Sequence, residues 1–167
     1  KEEDMPKILQ QLLDCKLYWL EEPIWPPENY KGLANLRKQG LVISTGENAC
    51  THWQFKEIIT QKAADIIQPS ITKVGGITEM RKISKFDLTK VRMVPHAPYF
   101  GPGFVATLHV LTSLSPHSEM ERLYMDLEQD LYKGLSNIDS KGDIFVPTDP
   151  GLGIEPDLEV INSCQRK

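Results

Sequence analysis

The stretch YWLEEPIWPPENY, residues 18–30, decides how this sequence is interpreted. An aromatic, strand-like run ends in two adjacent carboxylates, Glu21 and Glu22, and Pro23 follows directly. Proline has no backbone N–H to donate, so it ends a central strand. A buried strand that ends in two acidic side chains raises the question of which one, if either, has a chemical role.

Short apolar runs alternate with helical patterns along most of the chain. Helices are predicted at residues 5–15, 28–39, 51–62, 75–86 and 104–114. Strands are predicted at residues 17–20, 41–45, 65–70 and 91–96, with a weaker candidate at 120–127. This alternation is typical of βαβ units and predicts an α/β fold with a parallel sheet.

The sheet can be an open doubly wound sheet or a (β/α) barrel. A dinucleotide-binding open sheet has a glycine-rich turn after its first strand, whereas the stretch LEEPIWPP is acidic and proline-rich. Polar residues recur where each predicted strand ends, which is the face where barrels carry their chemistry. The pattern therefore favours a barrel. After residue 134 the chain is rich in Gly, Pro and Asp, which predicts an irregular tail with a strand pair near residues 144–146.

Composition excludes several classes of protein. The chain has 167 residues, 19 Lys and Arg against 23 Asp and Glu, and a net charge of −4. A nucleic-acid-binding surface would need a basic surplus, and no apolar run reaches the ~20 residues of a membrane span. Three cysteines without metal-ligand spacing, Cys15, Cys50 and Cys164, fit reduced thiols and predict a cytoplasmic protein.

Four polar residues lie at successive strand ends: Glu21, Glu47, Ser70 and His96. In a barrel these ends meet at one mouth. Carboxylate oxygens suit a hard cation such as Mg²⁺, and imidazole suits proton transfer near neutral pH. Each residue also has a simpler interpretation. The Glu-Glu-Pro segment can be a solvated loop, Glu47 can cap the helix after it, and His96 can stabilise a turn.

The ordered set of motifs resembles the enolase superfamily, in its mandelate racemase/muconate lactonizing enzyme-like branch. The motifs are WLEEP, TGEN, QPSITKVGGITE, VPHAPYFGPG and PGLGIEPD, and they span nearly the whole chain. The resemblance implies the C-terminal part of a (β/α)7β-type TIM barrel, with about five of its eight strands. Residues 1–133 would form the partial barrel, and residues 134–167 would pack on a lid domain.

The resemblance also implies roles for individual residues. Glu21 and Glu47 would bind Mg²⁺, and His96 would act as acid or base. Glu121 would hydrogen-bond the substrate carboxylate from the eighth strand, with Glu119 as the alternative.

Three further residues have less defined roles. Tyr99 and Phe100 would line the mouth or else pack a loop. Glu22 would be a supporting or salt-bridged neighbour of Glu21.

The reaction implied is Mg²⁺-dependent removal of the proton next to a carboxylate, with dehydration of a sugar acid as the main expectation. The alternatives are a racemase or epimerase of hydroxy acids and a catalytically silent relative that acts as a binding or scaffold protein. The partner would be a small carboxylate substrate, with no nucleic acid or membrane, and the complete protein would be a homo-oligomer.

Two departures from the family pattern shape these expectations. Ser70 stands where the racemase branch has an aspartate and the lactonizing branch has a lysine base, and a hydroxyl supplies no charge to hold an imidazolium. Asp65 is expected to be too far away to substitute, and Lys73 to be structural. The chain starts at Lys1, and the family's first metal aspartate and lysine pair would precede it. We therefore expect a piece of a longer protein that is inactive alone.

Overall fold

The computed structural model describes residues 1–86, 88–115, 118–125, 127–135 and 137–165. They form two compact units, Lys1–His96 and Ala97–Lys167. The predicted boundary between residues 133 and 134 concerns the barrel and lid of a complete protein, and it stays a prediction.

The first unit alternates strands and helices, as predicted. Its elements are α1 (Met5–Asp14), β1 (Leu20–Glu21), α2 (Tyr30–Lys38), β2 (Ile43–Thr45), α3 (His52–Thr60), β3 (Ile66–Ile67), α4 (Ile77–Ile83) and β4 (Arg92–Met93), after a 3₁₀ turn at Glu2–Asp4. The strands form one parallel sheet in the order β1-β2-β3-β4. Parallel neighbours joined by helical crossovers are the βαβ arrangement expected from the sequence.

The paired strands are shorter than the sequence pattern indicated, with two or three residues each. Their centres are fully buried, since Ile43, Ile66 and Ile67 expose none of their surface. Past these centres the chain turns to polar residues and prolines that do not extend the ladder. The short strands therefore place the residues that follow them at one edge of the sheet.

The ends of α2 and α3 are fixed by side chains. Asn29 caps α2 by accepting a hydrogen bond from the backbone N–H of Gly32, at 3.0 Å. At α3, Thr51 and Gln54 form a reciprocal capping box. These caps satisfy backbone N–H groups that a helix start leaves unpaired, which fixes where each loop after a strand ends.

The second unit contains α5 (Pro102–Leu114) and α6 (Leu158–Ser163). Its core is a cluster of buried residues: Phe104, Val105, Leu108, Tyr132 and Leu135. None of the helices in the described ranges is long and apolar enough to cross a membrane.

Two expectations for the second unit differ from the structure. The described residues of 120–127 and 144–146 contain no strand, so the described sheet has four strands and not five. A strand forms only where a neighbour supplies backbone hydrogen bonds, and no described segment of this unit does so. Conversely, α6 was not predicted, although Asp157 caps it by accepting from the backbone N–H groups of Glu159 and Val160.

Candidate functional site

The four polar residues of the first unit follow the carboxyl ends of neighbouring strands. Glu21 is the last residue of β1 and lies level with Ser44 of β2. Glu47 lies just past the end of β2, Ser70 past β3 and His96 past β4. Because all four strands are parallel, these positions share one edge of the sheet.

The carboxylate of Glu47 lies beside an imidazole. Its Oε2 atom is 3.5 Å from Nε2 of His96, whose side chain is 13% exposed. These residues are 49 positions apart, so only the sheet brings them together. The pair combines a carboxylate that can bind a cation with a group that can carry a proton.

Lys73 also lies beside this carboxylate, although the sequence indicated a structural role. Its Nζ atom is 3.7 Å from Oε1 of Glu47. Lys73 belongs to the loop before the glycine pair that leads into α4. The sequence does show a lysine three residues after Ser70. That spacing does not determine the direction in which a loop side chain points, so the contact with Glu47 could not be predicted from it.

Glu22 has a different set of partners from Glu21. Its carboxylate accepts hydrogen bonds from Thr45 Oγ1 at 3.1 Å, Gly46 N at 3.2 Å and Asn48 Nδ2 at 3.2 Å. These are neutral donors on the loop that carries Glu47, so within the described part of the chain Glu22 has the supporting role and not the salt-bridged one. Its backbone has a positive φ of 37°, uncommon for a residue with a side chain.

Glu21 contacts a residue that the sequence analysis did not select. Its Oε2 atom accepts a hydrogen bond from Nε2 of Gln68 at 2.6 Å. Gln68 is 4% exposed and lies directly after β3. A glutamine in the stretch DIIQPS gives no chemical signal by itself, because its importance comes from the carboxylate opposite.

Ser70 and Asp65 lie at different places around β3. Ser70 is fully buried and its Oγ atom lies 3.3 Å from Oγ1 of Thr72. Asp65 precedes β3, where its carboxylate accepts from Arg37 Nη2 at 2.5 Å and from the backbone N–H of Ile43 at 3.0 Å. Asp65 therefore holds β2 and α2 in place. It precedes β3 whereas Ser70 follows it, so the two lie at opposite ends of the strand, as predicted.

The remaining candidates lie in the second unit. The Glu121 carboxylate accepts from the backbone N–H of Ala97 at 2.9 Å. Tyr99 is half-buried and packs against the Phe104 cluster, and Phe100 is also half-buried. Packing of Tyr99 agrees with the loop-packing alternative, and substrate roles for Glu121, Tyr99 and Phe100 stay predictions.

Comparison with known proteins identifies the family. A family model described as "Enolase C-terminal domain-like" matches residues 2–160. The chain belongs to the enolase superfamily. Within the superfamily it resembles the mandelate racemase/muconate lactonizing enzyme-like proteins. One such protein from Rubrobacter xylanophilus superposes with a TM-score of 0.86 at 29% identity, covering 100% of this chain and 43% of that chain.

Two further relatives bear on chemistry. An arabinonate dehydratase of Saccharolobus solfataricus is 37% identical over 157 residues, which is 90% of this enolase-superfamily chain and 41% of the relative. A mandelate racemase/muconate lactonizing protein from Paracoccus denitrificans, solved in complex with magnesium, has a TM-score of 0.83 at 25% identity, over 98% of this chain and 45% of that chain. The chain thus spans about two fifths of the length of the relatives it matches.

The chemistry of the enolase-superfamily donor set suits magnesium. Glu21 and Glu47 supply carboxylate oxygens, the ligand type that Mg²⁺ prefers. Among the described residues, no group of three or more His, Cys, Asp or Glu is placed to hold a metal. A cation bound by Glu21 and Glu47 would therefore need further ligands from outside the described residues.

Proposed function

We propose that the complete protein containing this chain dehydrates a sugar acid after abstraction of the proton next to its carboxylate. The observation that carries the proposal is the 3.5 Å approach of His96 Nε2 to Glu47 Oε2, at the sheet edge that also carries Glu21. The similarity to an arabinonate dehydratase supports this reaction class. The substrate would be a small carboxylate.

Magnesium is the proposed cofactor, held in part by Glu21 and Glu47. When bound, the cation would supply positive charge near the substrate carboxylate, where negative charge develops as the neighbouring proton leaves. The magnesium complex of a related protein supports this choice of metal.

His96 is the proposed proton carrier of this chain. In the imidazolium form it pairs with the Glu47 carboxylate, and its mostly buried position limits exchange with water. It would give its proton to the leaving hydroxyl, which departs as water. The base that takes the proton next to the carboxylate would lie outside this chain. Glu121 would hydrogen-bond the substrate carboxylate, as the resemblance implies.

Ser70 favours dehydration over racemisation. A racemase needs two balanced bases, and His96 would need a charged partner to serve as one. Ser70 supplies a buried hydroxyl at the position where the racemase branch has an aspartate. A histidine that only donates a proton is less affected by the uncharged Ser70 than a histidine that must also accept a proton.

The proposal is tested by screening the complete protein against sugar acids with Mg²⁺ present. Dehydration is followed by product formation, and proton abstraction by exchange with solvent deuterium. We expect dehydration of at least one acid, and its loss in the Glu47→Gln variant. Exchange that inverts the carbon without loss of water would instead identify a racemase or epimerase.

The same serine supports a second candidate, a catalytically silent relative that binds carboxylates. Binding of Mg²⁺ and a sugar acid without exchange or dehydration would favour this silent relative over the dehydratase.

The 167-residue chain alone is expected to be inactive, because its described residues supply only part of a metal site. The three free, exposed cysteines fit the proposed cytoplasmic location, and a homo-oligomeric complete protein stays a prediction.

A further inference from the structure

The residue with the most informative unexplained contacts is Gln68. It is 4% exposed, and its Nε2 atom donates to Oε2 of Glu21 at 2.6 Å. The distance is short for an N–H···O hydrogen bond, as expected when the acceptor is ionised. The two residues are 47 positions apart, so the contact is set by the tertiary structure.

The contact crosses an entire strand. Glu21 is level with Ser44, and Ser44 with Ile66, so the three share one face of the sheet. Gln68 lies two residues past Ile66 and is therefore on the same face. Since neighbouring strands are about 4.8 Å apart, β1 and β3 are separated by about 10 Å. Side chains on β1 and β3 can meet across that gap only if both are long, as those of Glu21 and Gln68 are. The intervening strand β2 carries the small, fully buried Ser44 on this face.

The orientation of the Gln68 amide follows from its partner. An ionised carboxylate only accepts hydrogen bonds, so the Nε2 end of the amide faces Glu21. The Oε1 atom is buried and has no hydrogen-bond partner among the described residues. An unsatisfied buried oxygen is unfavourable, and an apolar side chain of similar size would avoid it. Filling space therefore does not explain a glutamine here, whereas donation to Glu21 does.

Glu21 needs such a donor. It is exposed in this chain, so packing does not select its rotamer. A carboxylate that is to bind a cation must hold one oxygen toward it, and partners behind metal ligands commonly fix that orientation. The Gln68 hydrogen bond engages Oε2 and leaves Oε1 of Glu21 for a cation.

We propose that Gln68 is a positioning residue that fixes the carboxylate of Glu21 for magnesium. This inference rests on the proposed function, because it assumes that Glu21 is a magnesium ligand. It adds a residue that contacts neither substrate nor metal but sets the affinity of the site.

The test is a calorimetric titration of the complete protein with Mg²⁺, without substrate. Gln68→Met removes the donor at similar volume, and Gln68→Asn keeps an amide but shortens its reach to Glu21. Gln61→Met is the matched control, since Gln61 is exposed and its side-chain amide donates to Glu57 on the same helix face, away from Glu21 and Glu47. We expect both Gln68 variants to bind Mg²⁺ about 10- to 100-fold more weakly, with the control unchanged and the metal-free melting curves preserved.

Each outcome decides between the two proposals. Magnesium affinity within twofold of wild type in a folded Gln68→Met variant would overturn the positioning role. If Gln68→Met does not fold, Gln68→Asn decides, and loss of the native melt in both would show that Gln68 only supports the fold. If the wild-type protein itself does not bind Mg²⁺, the proposed function fails first. Normal wild-type binding together with unaffected Gln68 variants leaves the proposed function intact.

Discussion

Oε2 of Glu47 lies 3.5 Å from Nε2 of His96, and Oε1 of the same carboxylate lies 3.7 Å from Nζ of Lys73. The Glu47 carboxylate thus contacts the imidazole of His96 with one oxygen and the ammonium group of Lys73 with the other. Glu47 and His96 follow different strands, and Lys73 lies in the loop after β3. This relationship gives direct predictions for each of the three side chains.

His96→Asn should abolish dehydration by the complete protein. The amide cannot carry a proton, and loss of a positioned acid or base costs about 10²- to 10⁴-fold in rate. The measurement is the steady-state rate on the sugar acid identified by screening, with Mg²⁺ binding measured in parallel to show an assembled site.

The matched control for this variant is His109→Asn. His109 lies in α5, where its Nε2 atom donates to the carbonyl of Leu152 at 3.0 Å. Its replacement should lower the free energy of unfolding by about 1 kcal/mol and leave the rate per folded molecule unchanged. A His96→Asn variant that retains full activity would remove His96 from the mechanism.

Lys73→Met should increase the affinity for Mg²⁺ about two- to fivefold, because the ammonium group and the cation compete for the Glu47 carboxylate. The gain is small since the Lys73 side chain is about a third exposed and the pair is screened by water. Titration at two salt concentrations should show a smaller effect at the higher one.

Glu47→Gln, in the same titration, should weaken binding strongly. Lys82→Met is the control lysine, because Lys82 pairs with Glu79 on α4 and not with a proposed ligand. Weaker Mg²⁺ binding in Lys73→Met would mean that this lysine orients Glu47 instead of competing for it.

Glu79 should make stability depend on pH in the acidic range. Hydrogen bonds from Lys82, then from His52, lower the pKa of its carboxyl group below the ordinary value. His52 Nδ1 is 2.7 Å from Glu79 Oε2 and so links α3 to α4. A lowered folded-state pKa stabilises the fold at pH values above the unfolded pKa, near 4.3, and this contribution is lost as pH falls through the folded value.

We therefore expect Glu79→Gln to lower the free energy of unfolding at pH 7. The variant should match wild type at pH values where the Glu79 carboxyl group of wild type is protonated in both the folded and the unfolded state. Urea denaturation of the chain between pH 7 and pH 3 measures the difference. Glu128→Gln, at an exposed position, is the control for removal of a surface carboxylate. An equal loss at every pH would indicate a packing effect and not the charge of Glu79.

Gly46→Ala should be strongly destabilising because two effects combine. Gly46 has φ of 122°, which side chains disfavour, and an added Cβ would lie 2.7 Å from Cε1 of Phe55 and 3.3 Å from the backbone N of Gln68. Strain of about 1–3 kcal/mol and a similar overpacking cost should add. Gly76→Ala separates backbone strain from overpacking. The φ of Gly76 is also positive, at 95°, but nothing lies within 4 Å of the added Cβ. Equal losses of unfolding free energy in the two variants would rule out the contact with Phe55.

The sequence by itself determined the alternation of strands and helices, the parallel sheet, and the candidates Glu21, Glu47, Ser70 and His96. These features are local: apolar periodicity selects the elements, and polar residues mark where each strand ends. The family resemblance followed because its motifs occur in order along the chain, and the match over residues 2–160 confirmed it.

Only the tertiary structure decided which side chains meet. Lys73 beside Glu47 and Gln68 beside Glu21 depend on how loops and long side chains cross the sheet, and spacing along the chain does not encode that. The prediction of a strand at residues 120–127 was wrong for the described residues. A strand requires hydrogen bonds from a neighbouring strand, and its own sequence does not determine whether such a neighbour is present. Local patterns fix local conformation, whereas contacts between distant residues are fixed by packing, and the candidate site consists of such contacts.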